Sequence, residues 1–279
     1  MTSQDERGNA RKREGKLGFI ERPRLEVYRE TYAWMAKLER RDGILEVRFH
    51  TDDGPALYSS AVHNAWGLLW SDIGRDPENE VLILTGTGDK WIAGFDPSHS
   101  SAAGAADALQ NMESDSFYDH LYYDATKVLE SFIFNIDIPT ISCINGPGMH
   151  TEFALACDIT LCADHTVLSD PHFMFNVVPG DGQGLTFQEL MGTKRSAYYL
   201  YTSDSITADQ AREMGLVNEV LPLDKLGPRA WEIAAMIMQR PRNVRRLTAA
   251  LLRRRWKERL VKDLGFHVAH ELLGARIVR

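Results

Sequence analysis

Residues 141–184 read ISCINGPGMHTEFALACDITLCADHTVLSDPHFMFNVVPGDGQG, and this stretch decides the fold. An apolar β-branched run opens it, the turn signal Asn-Gly-Pro-Gly follows at residues 145–148, and a second apolar run lies at residues 159–163. Two such runs predict two strands with a short helix behind them. The connections carry side chains that exchange protons near neutral pH, namely His150, Glu152, His172 and Asp181. The stretch therefore also predicts acid–base chemistry.

Strands and helices alternate on both sides of this stretch. Residues 43–50 alternate apolar and polar positions, as a strand with one covered face does, and residues 81–85 form a continuous apolar run typical of a buried strand. The helical spacing of residues 59–74 between them indicates a right-handed parallel crossover. A capped helix from Thr207, a short strand near residues 216–221 and amphipathic helices at 231–237 and 244–273 complete an α/β fold.

Two segments have weaker patterns. Residues 1–18 are polar, charged and aperiodic, which predicts a disordered arm, and residues 25–38 predict a short helix or packed lead-in segment. Residues 98–114 are small and polar, which is typical of a loop over a site.

Composition narrows the class of protein. A chain of 279 residues with 44% hydrophobic and 25% charged residues is an ordinary globular protein of one large or two small domains. The net charge of -7 argues against nucleic-acid binding, and the basic run at residues 253–257 is predicted to be a solvated helix face. Without an apolar run of about 20 residues or a signal-peptide core, we expect a cytoplasmic protein with no membrane contact. The three cysteines, Cys143, Cys157 and Cys162, are predicted to be buried hydrophobes rather than metal ligands.

Several motifs, in order, resemble the crotonase (enoyl-CoA hydratase/isomerase) superfamily from about residue 38 to the C-terminus. They are Val-Leu-Ile-Leu-Thr-Gly at 81–86, Ala-Gly-Phe-Asp at 93–96, Ile-Asn-Gly at 144–146, Cys-Asp-Ile at 157–159, Val-Pro-Gly-Asp-Gly at 178–182 and Ala-Asp-Gln-Ala at 208–211. The resemblance implies a crotonase-like ββα spiral with two near-perpendicular sheets and a helical C-terminal region. It divides the chain into an N-terminal extension (1–37), a spiral core (38–222) and a C-terminal helical trimerisation region (223–279). It also implies a homotrimer or a dimer of trimers.

The site motifs depart from the hydratases of this superfamily. Those enzymes carry a glycine run before one catalytic glutamate, and a second glutamate follows a proline in the next connection. Here Gly148-Met149-His150 replaces the run, Glu152 keeps the first glutamate's place, and His172 after Pro171 occupies the second. Hydration uses two carboxyl groups that share one water, so this pair suits it poorly. Glu152 is predicted to be structural.

The altered pattern is similar to the β-diketone hydrolases of the superfamily, 6-oxocamphor hydrolase among them. Five polar positions coincide with that pattern, namely His63, His150, His172, Asp181 and Glu271. Tyr58 replaces a tryptophan that lines the pocket there, which leaves the substrate open. In this fold two backbone amides face an enolate oxygen, and by position they are those of Phe95 and Met149.

The resemblance implies that water cleaves a carbon–carbon bond between the carbonyls of a cyclic 1,3-diketone, a retro-Claisen reaction that gives a keto acid. His172, neutral near its ordinary pKa of about 6.5, is the predicted general base. Asp181 is predicted to fix the tautomer of that ring and stabilise its cation, and Glu271 to hold the same water or ring. The predicted hydrogen-bond donors to the diketone oxygens are His150, His63 and Tyr58. No metal or organic cofactor is required.

Two alternatives stay open. One is an acyl-CoA hydratase, isomerase or hydrolase, which needs a phosphate-binding patch such as the helix with Lys257 and Lys262. The other is a catalytically inactive binding protein that keeps the fold and has lost the hydratase carboxylates.

Overall fold

The computed structural model describes residues 22–98 and 111–277. The predicted disordered arm and most of the predicted loop at 98–114 lie outside the described residues. Within them, no helix is both long and apolar enough to cross a membrane.

Within residues 22–98 and 111–277, eight strands form two sheets. The strands are β1 (Ala36–Arg41), β2 (Ile44–Phe49), β3 (Val81–Thr85), β4 (Thr140–Ile144), β5 (Ile159–Ala163), β6 (Val167–Leu168), β7 (Ile206–Thr207) and β8 (Glu219–Leu221). The larger sheet has the order β1-β2-β3-β4-β5-β8, parallel except for the antiparallel β1–β2 hairpin, and β6 pairs with β7. Because β2 to β5 and β8 run parallel, the loops that follow β3 and β4 leave the same edge and become neighbours.

Helices cover both faces of the larger sheet. They are α1 (Leu25–Thr31), α2 (Ser60–Arg75), α3 (Ser114–Phe117), α4 (Asp124–Asn135), α5 (Glu152–Leu155), α6 (Gln183–Thr202), α7 (Ala208–Glu213), α8 (Leu223–Met238) and α9 (Arg242–Ile277). A π-helical segment, Tyr118–Tyr123, joins α3 to α4. Trp66, Trp70 and Phe132 from α2 and α4 pack on one face around Phe49, whereas α8 covers the other face through side chains such as Leu226. The predicted α/β class and the strands at 44–49, 81–85, 140–144 and 159–163 are confirmed.

The segment before β2 differs from its prediction. Helix α1 is present, but the lead-in segment continues into β1, where buried Ala36 and Leu38 alternate with exposed Lys37. Asp42 and Gly43 join β1 to β2 with φ values of 49° and 83°. An Asp-Gly pair with both φ values positive is the sequence that a tight hairpin favours, because its backbone twist matches that of the strands.

The predicted solvated face of α9 is wrong for one residue. The side chain of Arg253 is fully buried and donates to the Ile138 carbonyl (3.0 Å), Thr140 Oγ1 (2.8 Å) and Asp158 Oδ2 (3.2 Å). All three bonds come from Nη2, whereas Nε and Nη1 are buried without a partner among the described residues. The Nη2 contacts anchor α9 beside the start of β4. The three cysteines are buried, as predicted, and all three are free thiols.

Candidate active site

Four aromatic rings meet at the edge of the sheet that the loops after β3 and β4 share. His63 lies in the first turn of α2, which Ser59 caps through its side chain, and Tyr58 lies just before that cap. The Tyr58 ring stacks on His150, which follows β4, with 4.7 Å between centroids and an 18° interplanar angle. His63 meets His150 edge-on at 5.6 Å, and Phe95 meets Tyr58 at 5.3 Å. Four predicted site residues therefore share one aromatic cluster.

Close backbone packing holds His150 in this cluster. A Cβ atom at Gly148 would lie 2.5 Å from the Ile92 amide nitrogen, so only glycine permits this approach. The Trp91 indole nitrogen donates to the His150 carbonyl at 3.1 Å. His150 itself has a left-handed backbone with φ of 53°, a conformation that costs energy in a residue other than glycine.

The same packing corrects the predicted pair of enolate-facing amides. The Met149 amide donates to the Ile92 carbonyl at 3.0 Å and is not free to bind a ligand. The Phe95 amide has no acceptor in the part of the chain that the structure describes. Of these two amides, that of Phe95 therefore remains open and that of Met149 does not.

His150 and Glu152 form the inner of two imidazole–carboxylate pairs. His150 Nδ1 lies 3.1 Å from Glu152 Oε1, with side chains 8% and 2% exposed, and Glu152 Oε2 has no partner among residues 22–98 and 111–277. Burial lowers the pKa of His150, but the charge and hydrogen bond of Glu152 outweigh it and the net pKa is raised. Burial raises the pKa of Glu152, against the opposing charge of His150. The pair therefore holds one shared proton strongly.

His172 forms the outer pair with a carboxylate that was not predicted. Its Nδ1 lies 2.7 Å from Asp170 Oδ1, whereas its Nε2 lies 3.6 Å from Asp181 Oδ2. Asp170, not Asp181, therefore makes the ring hydrogen bond that was expected to fix the tautomer. Asp181 Oδ2 lies 3.9 Å from His150 Nδ1, so its charge stands between the two rings. Sequence offered one signal for Asp170, because aspartate often binds the backbone amide two residues on.

Charges on the outer pair favour the imidazolium form. Burial lowers the pKa of His172, but the charges of Asp181 and Asp170 and the Asp170 hydrogen bond raise it well above its ordinary value. Burial alone would raise the pKa of Asp181, yet the His172 and His150 charges lower it. At neutral pH the His172 ring is therefore an imidazolium between the Asp170 and Asp181 carboxyl groups, which corrects the prediction of a ring that is neutral near its ordinary pKa.

Glu271 reaches the outer pair from α9. A Cβ atom at Gly180 would lie 2.3 Å from the His267 carbonyl oxygen and 2.7 Å from Glu271 Cβ, so the turn that carries Asp181 packs directly on α9. Burial and the negative charge of Asp181 raise the pKa of Glu271 to about 8. Glu271 is therefore largely protonated at neutral pH and able to donate a hydrogen bond.

His63 differs from the other two histidines in charge. Burial, and then the neighbouring charge of His150, lower its pKa to about 4, so its ring is neutral at pH 7. Burial also raises the pKa of Tyr58, which keeps the phenol protonated. The structure thus brings all five polar residues predicted for the site into one electrostatically connected cluster.

Comparisons with known proteins show the family and the fold of this chain. The family model for enoyl-CoA hydratase/isomerase matches residues 39–272, and the chain belongs to that family. A solved β-diketone hydrolase from the cyanobacterium Anabaena sp. PCC 7120, bound to (S)-3-oxocyclohexyl acetic acid, is 34% identical, covers 92% of this chain and 98% of that chain, and has a TM-score of 0.82. The predicted crotonase fold is confirmed.

Curated relatives in the family act on CoA thioesters by name. Crotonyl-CoA hydratase of Syntrophomonas wolfei is 30% identical over 181 residues, which cover 64% of this chain and 65% of that relative, slightly less than two thirds. Hydroxycinnamoyl-CoA hydratase-lyase of Pseudomonas fluorescens is 27% identical over 206 residues, 73% of this chain and 72% of that relative.

Proposed function

We propose that this protein is a β-diketone hydrolase, which uses water to cleave a carbon–carbon bond between two carbonyls and releases a keto acid. The observation that carries the proposal is the placement of three imidazoles, His63, His150 and His172, around Asp181 at one edge of the sheet. A hydratase needs two ionisable carboxyls near one water, and here an imidazole stands in the second position. Imidazoles serve instead to deprotonate water and to donate hydrogen bonds to carbonyl oxygens.

The reaction balances with groups from this chain alone. His172 acts as a base in its neutral form, whose share grows as pH rises through the raised pKa of the ring. The neutral ring takes one proton from water, and the hydroxide adds to one carbonyl carbon to form an alkoxide. Collapse of the alkoxide breaks the bond to the carbon between the carbonyls, which leaves as an enolate. His172 returns the proton to that carbon, giving one ketone and one carboxylic acid. Asp181 stabilises the imidazolium between the two transfers.

Donors for the growing oxygen charges come from the aromatic cluster and α9. His150 and the Phe95 amide suit the enolate oxygen, and neutral His63 with Tyr58 suits the other carbonyl. A preorganised donor in a water-poor site contributes about 3 kcal/mol to the barrier. Glu271, largely protonated at pH 7, serves as a further donor near His172.

The Anabaena relative supports this substrate class. The molecule bound to it carries one ketone and one carboxylic acid, as a product of diketone hydrolysis must. Removal of one water and closure of one carbon–carbon bond converts that acid into a bicyclic 1,3-diketone with eight carbons. That bicyclic diketone is therefore the first substrate to test.

The test follows appearance of 3-oxocyclohexyl acetic acid from the bicyclic diketone by chiral chromatography. We expect catalytic turnover with one enantiomer in excess, and incorporation of one oxygen from labelled water into the carboxyl group. Absence of turnover, both for this compound and for a panel of cyclic 1,3-diketones, would refute the proposal.

A second candidate is an acyl-CoA enzyme, which the names of the curated relatives favour. This candidate requires a phosphate-binding patch, for which Lys257 was a predicted residue. Lys257 already pairs with Asp137 at 3.5 Å and lies over the Phe134 ring, which weakens the case for such a patch. Hydration of crotonyl-CoA and retention on a CoA resin, without diketone turnover, would favour this candidate. Retention without either activity would favour a binding protein.

We further propose that the protein assembles as a trimer or a dimer of trimers. Apolar side chains on α9 are exposed in the single chain, namely Val244, Leu247, Leu251 and Leu252. Exposed apolar residues in such a group mark a protein interface. Light scattering after size exclusion should give three or six times the mass of 31.5 kDa. A monomer at micromolar concentration would contradict this proposal.

A further inference from the structure

Asp170 is the most buried carboxylate beside the reacting histidine, with a side chain 1% exposed. Its Oδ1 accepts two hydrogen bonds from one residue, from the His172 backbone amide at 3.0 Å and from His172 Nδ1 at 2.7 Å. The His172 carbonyl in turn accepts from the amides of Phe175 and Val177. Backbone and ring of His172 are thus both fixed by local contacts.

The contact with Asp170 determines which ring nitrogen reacts. A carboxylate only accepts hydrogen bonds, so His172 Nδ1 carries a proton in both the neutral and the cationic form of the ring. The nitrogen that gains and loses a proton is then Nε2, which faces Asp181 Oδ2 at 3.6 Å. A ring flipped by 180° would present the wrong nitrogen and leave Asp170 without its partner.

A purely structural carboxylate would satisfy both of its oxygens. Asp170 Oδ2 is buried and has no hydrogen-bond partner among the residues that the structure describes. A buried acceptor without a donor is costly, and such groups persist where function uses them. Both hydrogen bonds that Asp170 accepts therefore come from His172, and no other donor among the described residues weakens the effect of its charge on the His172 ring.

We infer that Asp170 is a positioning residue for His172: it holds Nδ1–H, directs Nε2 to the reaction, and sets the pH at which the ring becomes a base. Only the catalytic part of this role rests on the proposed function, and the effect on the ring titration does not. Other charged groups also face the ring, namely Asp181 before α6, His150 after β4 and Glu271 on α9. The Asp181 charge adds to the effect of Asp170, Glu271 adds to it only as it ionises near its pKa of about 8, and the His150 charge opposes it.

The first measurement needs no substrate. Nitrogen-15 chemical shifts of the His172 ring, assigned by their loss in His172→Gln, are followed with pH in the wild type and in Asp170→Asn. We expect the wild-type Nδ1 to stay protonated throughout while Nε2 titrates. Asp170→Asn should lower the pKa of His172 by about one to three units, because an amide keeps the acceptor but removes the charge.

Asp164→Asn is the matched control. Asp164 also neighbours a histidine, with its Oδ1 3.5 Å from His165 Nδ1, but the two side chains are 61% and 40% exposed. This substitution removes the same charge from an exposed position six residues earlier in the sequence, and we expect it to leave the His172 titration unchanged. An equal shift in both variants would show a general charge effect and overturn the inference.

Kinetics give the second measurement. If diketone turnover is present, the acid limb of kcat against pH should move to lower pH in Asp170→Asn by the shift seen in the ring titration, and the plateau should fall at least tenfold. An unchanged limb and an unchanged ring titration in a folded variant would overturn the inference. If Asp170→Asn does not fold, wild-type shifts with Nδ1 unprotonated at high pH would overturn it instead. Failure of turnover in the wild type would refute the proposed function and leave the ring titration to decide this inference.

Discussion

The inner pair, His150 with Glu152, and the outer pair, His172 with Asp170, have the same spacing of two residues but opposite surroundings. The His150 ring is 8% exposed, stacks on Tyr58 and contacts Trp66 edge-on at 5.4 Å. The His172 side chain is 26% exposed and begins a turn whose next three residues, 173–175, are all exposed. The inner pair is fixed by packing, whereas the outer pair is fixed by hydrogen bonds at the rim.

This difference separates two tasks that one histidine cannot do equally well. A donor that stabilises a transient oxygen charge works best when it is buried and immobile, since its strength grows as water is excluded. A base that deprotonates water must instead stay accessible to the water that it activates. The four predictions below test this division, from the largest expected effect to the smallest.

Loss of the outer imidazole should have the largest effect. His172→Gln should lower kcat for the bicyclic diketone by about 10³-fold, within the range of general-base contributions. His120→Gln is the control, because His120 pairs with Asp124 at 3.7 Å on an exposed surface. Equal activity of the two variants in steady-state kinetics would remove His172 from the mechanism.

Loss of the inner imidazole should affect both catalysis and stability. His150→Phe keeps an aromatic ring against Tyr58 but removes a donor, so kcat should fall about 10²-fold. It also leaves the buried Glu152 unpaired, which should lower the free energy of unfolding by about 1–3 kcal/mol in urea. The double variant His150→Phe/Glu152→Leu should recover stability without activity. Recovery of activity would show that the inner pair is structural.

The neutral His63 predicts an acid-sensitive stability. Its folded pKa of about 4 lies below the unfolded value of about 6.5, so the unfolded chain binds the proton more tightly. Stability from this group is complete above pH 6.5 and is lost as pH falls towards 4, by about 2–3 kcal/mol. Urea unfolding at pH 7 and pH 4 should show this loss in the wild type and not in His63→Gln. Parallel pH curves for the two proteins would contradict it.

The smallest expected effect disturbs the outer pair through α9. Gly180→Ala places a methyl group against the His267 carbonyl, and such overpacking costs about 1–3 kcal/mol of unfolding free energy. Gly227→Ala in α8 is the control, because its methyl group meets nothing within 4 Å and alanine stabilises a helix interior by up to about 1 kcal/mol. Thermal unfolding distinguishes the two variants. Equal melting temperatures would show that α9 moves away from the added methyl group without loss of stability, which contradicts this prediction.

The sequence alone predicted the strands and helices whose apolar residues follow a regular pattern and end at a clear turn signal. The strands at 81–85 and 140–144 were visible because apolar β-branched runs end at glycine or proline turns. β1 was missed although Asp42-Gly43 is a hairpin signal, because the aromatic residues before it dominate the pattern. Asp170 was missed because the sequence signal at this position is that of an Asx turn, in which aspartate binds a backbone amide, and that signal does not indicate a contact with the His172 ring.

Other features depend on contacts that no local pattern encodes. The Met149 amide is occupied because the chain at Gly148 packs against Ile92, 56 positions earlier in the sequence. The Arg253 side chain is buried because acceptors from β4 and from Asp158 surround it. Both are tertiary effects, and each changed a prediction that composition and motif alone had made.

The length of α9 ties the site to a distant anchor. The buried side chain of Arg253 binds beside the start of β4. Glu271 lies 18 residues further along the same unbroken helix, beside the reacting cluster. Eighteen residues are five full turns, about 27 Å, so both side chains leave the helix in the same direction. One inserted residue between them would swing the carboxyl of Glu271 by about 100° and lift it from the site. The number of residues between Arg253 and Glu271 therefore determines whether the Glu271 carboxyl group reaches the imidazoles.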